Sequence, residues 1–577
     1  IVFCLFADDT GIFKRGIFQD FVEATKRASD IGPRLSQLFD VLNQPDSKRS
    51  SRLPEELKSF PYINGDLFRD SLQLPVFDEE MKIYLIEAGE FNWSDISPAI
   101  FGSMFQSVLD KKKRRELGAH YTSEKNILRV LNPLCFDSLK EELKLIEKKK
   151  GPALISALLG FQLKLSQLHF IDPACGCGNF LVVAYREVRL LELRTIERLK
   201  KYGSLPSDEF PSKVYVDQFY GIEVLEFPVQ IAKVVMWMMD HIMNQRMSEA
   251  LGVHYERFPL SRSAKIVKED ALKIEWKDLL KPTDSTYVVG NPPYSGSKHR
   301  TKEKTAQVER IFEGKKILDY SATWFLLAAR YIHSCKARIG FMTVNSLTQG
   351  EQANVLWPAL LPKYKLEIEF AYRPFVWDSE GAGASKVYVV IIGLCNADNV
   401  PKMRQLFDYP DPKPKMVSAI TPYLLDGSSL SNHHLVIERS KSPATSIPII
   451  KTGSKPIDGG NYILSREARD ELVRTEPKSA KYIRPFIGTE EFLYDKQRWI
   501  LALHDISPTI LRKLPLVKER VGSVRKYRLR SSAPSTRKIP PTEYHLNVIP
   551  NSPFLVIPEV SSEARDYVPI GWLKPPT

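Results

Sequence analysis

The chain has 577 residues, 43% hydrophobic and 26% charged, a composition that excludes wholesale disorder and a bundle of membrane helices. No apolar run is long enough to span a bilayer, and Ile1–Phe6 lacks the length and charged leader of a signal peptide. A formal net charge of +13 favours a polyanionic partner, and six scattered cysteines without framework spacing point to a reducing compartment, the cytoplasm.

The chain opens on Ile rather than Met and reads as a piece whose upstream part is missing. Residues 1–115 read as helical with loops. Ser97-Pro98 caps an apolar run through Val108 that ends in Lys111–Arg115, a basic helix end or a phosphate contact.

From about 116 to 400 the pattern alternates strands with helices. Strands are expected at Leu168–Ile171, Phe219–Val224, Lys265–Val267, Thr286–Val289, Ile339–Val344, Lys365–Ala371 and Val387–Leu394. Long helices are expected from Asn179 and over Pro228–Asn244, and a shorter one over Trp324–Tyr331. Such alternation implies an α/β domain with a mostly parallel sheet, closed by an antiparallel pair at its edge. Beyond 401 the alternation stops and Pro and Ser become frequent, so 401–577 reads as a separate domain. Its stretch Leu511–Lys538 is strongly basic, with Arg525, Lys526 and Arg528 at its centre, and forms either a DNA-binding surface or a solvated face.

Asp172-Pro-Ala-Cys-Gly-Cys-Gly-Asn-Phe180 lies between the first strand and its helix, where ligands sit in parallel sheets. Gly176 and Gly178 permit close backbone approach, but the run is neither a dinucleotide fingerprint nor a P-loop. Cys175 and Cys177 have no second pair, so no metal site is expected there. Glu223 ends the second strand and Asp270 follows the third. Each alone reads as a loop carboxylate capping a helix; together they describe a nucleoside pocket, Glu223 for ribose hydroxyls and Asp270 for an adenine amine.

Asn291-Pro292-Pro293-Tyr294 follows the fourth strand. Two prolines stiffen the turn and remove two N–H donors. The Asn291 side-chain oxygen and the Pro292 carbonyl can then accept both hydrogens of a base's exocyclic amine. That frees the nitrogen lone pair for attack on a sulfonium methyl without a metal. Tyr294 would stack on a base flipped out of the duplex.

At these residues the sequence resembles the gamma-group adenine-N6 DNA methyltransferases and, more closely, the MmeI-like combined restriction–modification enzymes. The likeness runs through Phe3–Phe13, Phe60–Gly65, Pro98–Gln106, Leu117–Glu124, Thr343–Glu351 and Val560–Tyr567. It implies a class I S-adenosylmethionine-dependent methyltransferase fold with a seven-stranded Rossmann-like sheet, a helical connector at 1–115 and a target-recognition domain at 401–577. It also implies S-adenosylmethionine as cofactor, double-stranded DNA as substrate and no obligatory protein partner. By the same resemblance Tyr121 and Thr122 close over the cofactor's methionine. Asp172, Pro173, Ala174, Cys175, Gly176, Gly178, Asn179 and Phe180 form the cofactor loop, and Phe375 helps hold the flipped base. Glu56-Leu-Lys58 matches a nuclease Glu-x-Lys only by spacing, so methylation without cleavage is expected. The alternatives are a DNA-binding remnant without turnover, or methylation of RNA adenine or protein glutamine.

Overall fold

A computed structural model describes residues 1–577 apart from 64–67, 69–73, 96–121, 204–210, 253–261, 298–299, 378–386, 412, 439–449, 551, 562–564 and 576–577. The chain divides into two compact units, Ile1–Arg439 and Ser440–Thr577. The expected Ser97–Val108 helix, the Lys111–Arg115 run and Tyr121 lie outside the described residues.

The first unit is built on a nine-stranded sheet in the order β3-β2-β1-β4-β5-β7-β6-β8-β9. Its strands are β1 (His169–Asp172), β2 (Phe219–Glu223), β3 (Lys265–Lys268), β4 (Thr286–Gly290), β5 (Arg338–Val344), β6 (Leu366–Val376), β7 (Tyr388–Asn396), β8 (Arg404–Phe407) and β9 (Lys415–Val417). β1 to β5 pair in parallel, and β7 runs antiparallel to both β5 and β6. The antiparallel pair is therefore present but does not close the sheet: β8 pairs with β6 and β9 with β8, adding two strands to the seven expected. Both extra strands are too short for their alternation to stand out among Pro and Lys.

Neighbouring residues on each central strand feed opposite cores, as the period of two requires. Phe170, Phe219 and Val289 pack on one face, under the helices Asn179–Lys201 and Glu226–Leu251 and the N-terminal helices. Ile171, Tyr220 and Val288 pack on the other, under the helices Ala322–Ile332 and Gly350–Tyr364. Within the N-terminal segment, Glu56 pairs with Arg34 at 3.0 Å and Lys58 with Glu55, ordinary exposed ion pairs. β1 has β2 on one side and β4 on the other, so the strand order reverses there. The crevice at their carboxyl ends is the place where such sheets bind ligands.

The second unit contains β10 (Ile463–Leu464), β11 (Ile483–Phe486) and β12 (Arg498–Leu501) in the order β10-β12-β11, and a hairpin of β13 (Phe554–Val556) and β14 (Gly571–Leu573). Its core gathers Tyr462, Leu464, Leu501 and Leu503 around the helix Pro515–Leu529.

Candidate active site

The loop after β1 is shaped by backbone constraints. Gly178 has φ of 84°, accepts its turn by donating N–H to the Cys175 carbonyl at 2.8 Å, and caps the helix Asn179–Lys201. A side chain at Gly178 would stand 3.0 Å from Ala232 Cβ. At Gly176, with φ of 52°, nothing lies within 4 Å of where a side chain would start, so this glycine faces open space. Gly221 on β2 carries no side chain because one would meet Cys175 Sγ at 2.7 Å. Trp324 Nε1 donates to the Pro173 carbonyl at 2.9 Å and fixes the start of the loop from the other face of the sheet.

Two carboxylates frame this loop. Asp172 is 1% exposed, and its Oδ1 accepts the Ala174 N–H at 3.0 Å. Burial, with Glu223 adding repulsion, pushes its pKa up to about 8. Glu223 accepts Gly176 N–H on Oε2 at 3.1 Å and Leu225 N–H on Oε1 at 3.0 Å. Burial raises its pKa as well, against those backbone donors. Each oxygen keeps a further lone pair for a hydroxyl. Asn179 Oδ1 is buried with no hydrogen-bond partner. Cys175 and Cys177 are buried thiols, and desolvation pushes Cys177 up to about 12.

Across the crevice, Gly290 ends β4 with φ of 148°, and a side chain there would stand 2.5 Å from Asp172 Oδ1. The next residue, Asn291, donates its Nδ2 to Thr122 Oγ1 at 3.2 Å. Its other amide atom, Oδ1, is buried and accepts nothing. Pro292 is buried and Tyr294 half-buried, its hydroxyl pushed up by desolvation. The loop beyond is pinned: Ser295 N–H donates to Asp319 Oδ1 at 3.2 Å, and Tyr320 N–H to the Ser295 carbonyl at 3.2 Å.

The structure thus brings together Thr122, Asp172, the glycine loop, Glu223 and Asn291. Asp270 lies just past β3, with its carboxylate accepting from Leu272 N–H at 3.0 Å and Gln307 Nε2 at 3.2 Å, and Lys273 Nζ 3.3 Å away. The Phe180 ring is 3% exposed and packs in the first core. Two expectations need correction. Phe375 is also 3% exposed, stacked 5.6 Å from Tyr409 with the Arg129 guanidinium 5.2 Å from its centre, so little of its ring is left for a base. Arg528, read as a DNA contact, is 1% exposed, and its guanidinium donates to the carbonyls of Pro456, Ile457, Ile539, Pro540 and Glu543. Arg525 and Lys526 stay exposed.

Sequence reading missed Gly221, Asp319 and Trp324, whose partners lie far along the chain. It also missed Arg528's burial, for which a signal exists. Val517, Val521, Val524 and Arg528 recur at helical spacing and form the buried face of one helix.

Comparison with known proteins agrees with this architecture. Residues 1–68 match the family model described as the MmeI helicase spacer domain, 145–408 the MmeI DNA-methyltransferase domain, and 431–577 the MmeI target recognition domain. A protein of Bacillus subtilis (strain 168) named DNA methyltransferase A is 34% identical over 585 residues. The alignment covers 99% of this chain and 64% of that protein. A solved structure of the type IIL restriction–modification enzyme MmeI in complex with DNA is 40% identical with a TM-score of 0.91, covering 99% of this chain and 76% of that one. A putative type II restriction enzyme and methyltransferase of Methanocaldococcus jannaschii is 24% identical over 283 residues, 41% of this chain and 24% of that one.

Proposed function

The chain belongs to the MmeI family of type IIL restriction–modification enzymes, and from that premise we propose that it transfers a methyl group from S-adenosylmethionine to N6 of adenine in double-stranded DNA. One observation carries the reading: Asn291 has one amide atom held by Thr122 and the other, an oxygen, buried without a donor. An unsatisfied buried acceptor costs about 1–3 kcal/mol, so its persistence suits a site that supplies a donor on binding.

The crevice also suits the cofactor. Open space at Gly176, the unpaired Asn179 Oδ1 and the buried carboxyl groups of Asp172 and Glu223 suit a nucleoside with several polar groups to satisfy. Glu223 would accept ribose hydroxyls, Asp172 and the glycine loop would hold the methionine end, and Asp270 would receive the adenine amine. When bound, S-adenosylmethionine supplies an electrophilic methyl on sulfur. Asn291 Oδ1 and the Pro292 carbonyl would take the two N6 hydrogens and orient the nitrogen lone pair. Tyr294 would hold the base by stacking, at the cost of unpairing it from the duplex. Exposed Arg525 and Lys526 would contact phosphates.

DNA as substrate rests on the target recognition match and on the DNA in the MmeI complex. The six free cysteines suit a reducing cytoplasm. Among the described residues no helix is long and apolar enough to cross a membrane.

The test is incubation of the chain with plasmid DNA and cofactor, followed by sequencing that reads modified bases. N6-methyladenine at one recurring sequence is expected, and Asn291→Ala should lower turnover by roughly 10²–10³ while cofactor affinity changes only a few-fold. Methyl groups on cytosine, or full turnover by the variant, would overturn the reading.

A further inference from the structure

One cluster of metal-ligating side chains lies among the described residues, in the first unit: Glu367, His433 and His434. Glu367 stands near the start of β6, with its side chain 10% exposed. Both histidines come from a loop some 66 residues later, which is why chain spacing gives no hint of the cluster. His433 Nε2 lies 2.9 Å from Glu367 Oε2, and His434 Nε2 lies 2.9 Å from Oε1. Arg404 of β8, the strand beside β6, places Nη1 2.8 Å from Oε2.

His433 Nε2 makes a hydrogen bond to Oε2. His434 Nε2, as close to Oε1, is buried. The three ligand atoms lie within 4.8 Å of one another, close enough to converge on one ion. The loop is also shaped to present these rings. Asn432 Oδ1 accepts the His434 N–H at 3.0 Å, and Gly427 lacks the side chain that would stand 3.0 Å from His433 Cβ.

We propose that Glu367, His433 and His434 bind a divalent first-row transition-metal ion of the zinc class, which staples the 432–434 turn onto β6. Ligands about 2.0–2.1 Å from such an ion sit about 3.3 Å from one another when tetrahedral, so each Glu–His distance of 2.9 Å needs to open by a few tenths of an ångström. Arg404 and His433 both stand on Oε2, so Oε1 is the freer oxygen for the ion, and His433 turns from Oε2 to reach it, with the guanidinium left as the carboxylate's outer hydrogen-bond partner. The guanidinium's positive charge lowers affinity. The histidine side chains are 25% and 28% exposed, so the turn that carries them borders solvent. Two imidazoles and one carboxylate select zinc, cobalt, nickel or copper over magnesium and calcium, which prefer oxygen alone.

The full chain, stripped with chelator, is titrated with zinc chloride by calorimetry and melted with and without zinc. The buried thiols are held protonated and compete little, as with Cys135 and Cys395. One saturable site is expected, with a zinc-dependent rise in Tm and no response to magnesium. His433→Gln and His434→Gln should each weaken binding at least tenfold, whereas His504→Gln, in the second unit, should not. Undiminished binding in the His433→Gln/His434→Gln double variant overturns the site. So does a wild-type chain with no saturable binding and no zinc-dependent rise in Tm, whatever the variants do.

Discussion

The carboxyl ends of β1, β2 and β4 and the helix Pro515–Leu529 both look functional in the sequence, and they treat buried polar groups in opposite ways. At the strand ends, Asn291 Oδ1 and Asn179 Oδ1 are buried without partners, and Asp172 has lost its ordinary acidity to desolvation. In the helix, Arg528 is just as buried, but its guanidinium meets five carbonyls. Here the unpaired amide oxygens mark the place prepared for a ligand, and the paired guanidinium marks architecture. Net charge cannot make this distinction, because it counts Arg528 and Arg525 alike.

The largest effect that can break the contrast is on stability. Arg528→Ala strands several carbonyls inside the second unit and should cost about 3 kcal/mol, read from the denaturation midpoint of the full chain. Arg525→Ala, on the same helix but exposed, should stay within about 0.5 kcal/mol and instead reduce the salt slope of DNA binding by about one. A stable Arg528→Ala chain with weakened DNA binding would put this residue back at the interface.

A smaller effect sharpens the other side. The folded protein keeps the Asp172 carboxyl protonated up to about pH 8, whereas the unfolded chain releases that proton near the ordinary carboxylate value of about 4. Between those limits the folded state binds more protons, so rising pH destabilises it, by at most about 1.4 kcal/mol per pH unit. Glu223 is shifted in the same direction and contributes a slope of the same sign. Asp172→Asn should therefore flatten the decline of cofactor-free stability between about pH 4 and 8, gaining most at the alkaline end. Parallel stability–pH curves for the two chains would mean that Asp172 is not the buried proton holder.

Much of this was readable beforehand, for physical reasons. β1, β2, β4 and β5 announce themselves as short apolar runs because both faces of a central parallel strand are buried, and the motifs sit at their ends because ligands bind there. β8 and β9 were illegible, being only a few residues each and partnered through tertiary contacts. Residues that act through backbone neighbours were equally hidden. Nothing in the chain near Trp324 says that its indole holds Pro173, 151 residues away. Phe375 shows the reverse failure: its motif position was visible, but the stacking of Tyr409 upon it was not.

Thr122 offers the finest test, because resemblance and geometry give it different work. Resemblance puts it over the cofactor; the structure puts its hydroxyl under the Asn291 amide, 3.2 Å from Nδ2, with the residue 4% exposed. In the orientation that aims Oδ1 into the crevice, the Thr122 hydroxyl accepts from Nδ2 and holds the amide there. Thr122→Val keeps shape and volume but removes that acceptor, so the amide can rotate and Oδ1 is correctly aimed only part of the time. Losing one neutral hydrogen bond, worth about 0.5–1.5 kcal/mol, should lower kcat up to about tenfold, leave the cofactor Kd unchanged, and be rescued by Thr122→Ser. If instead the Kd rises and kcat at saturation holds, Thr122 serves the cofactor, and the orientation of Asn291 must come from somewhere else along β4.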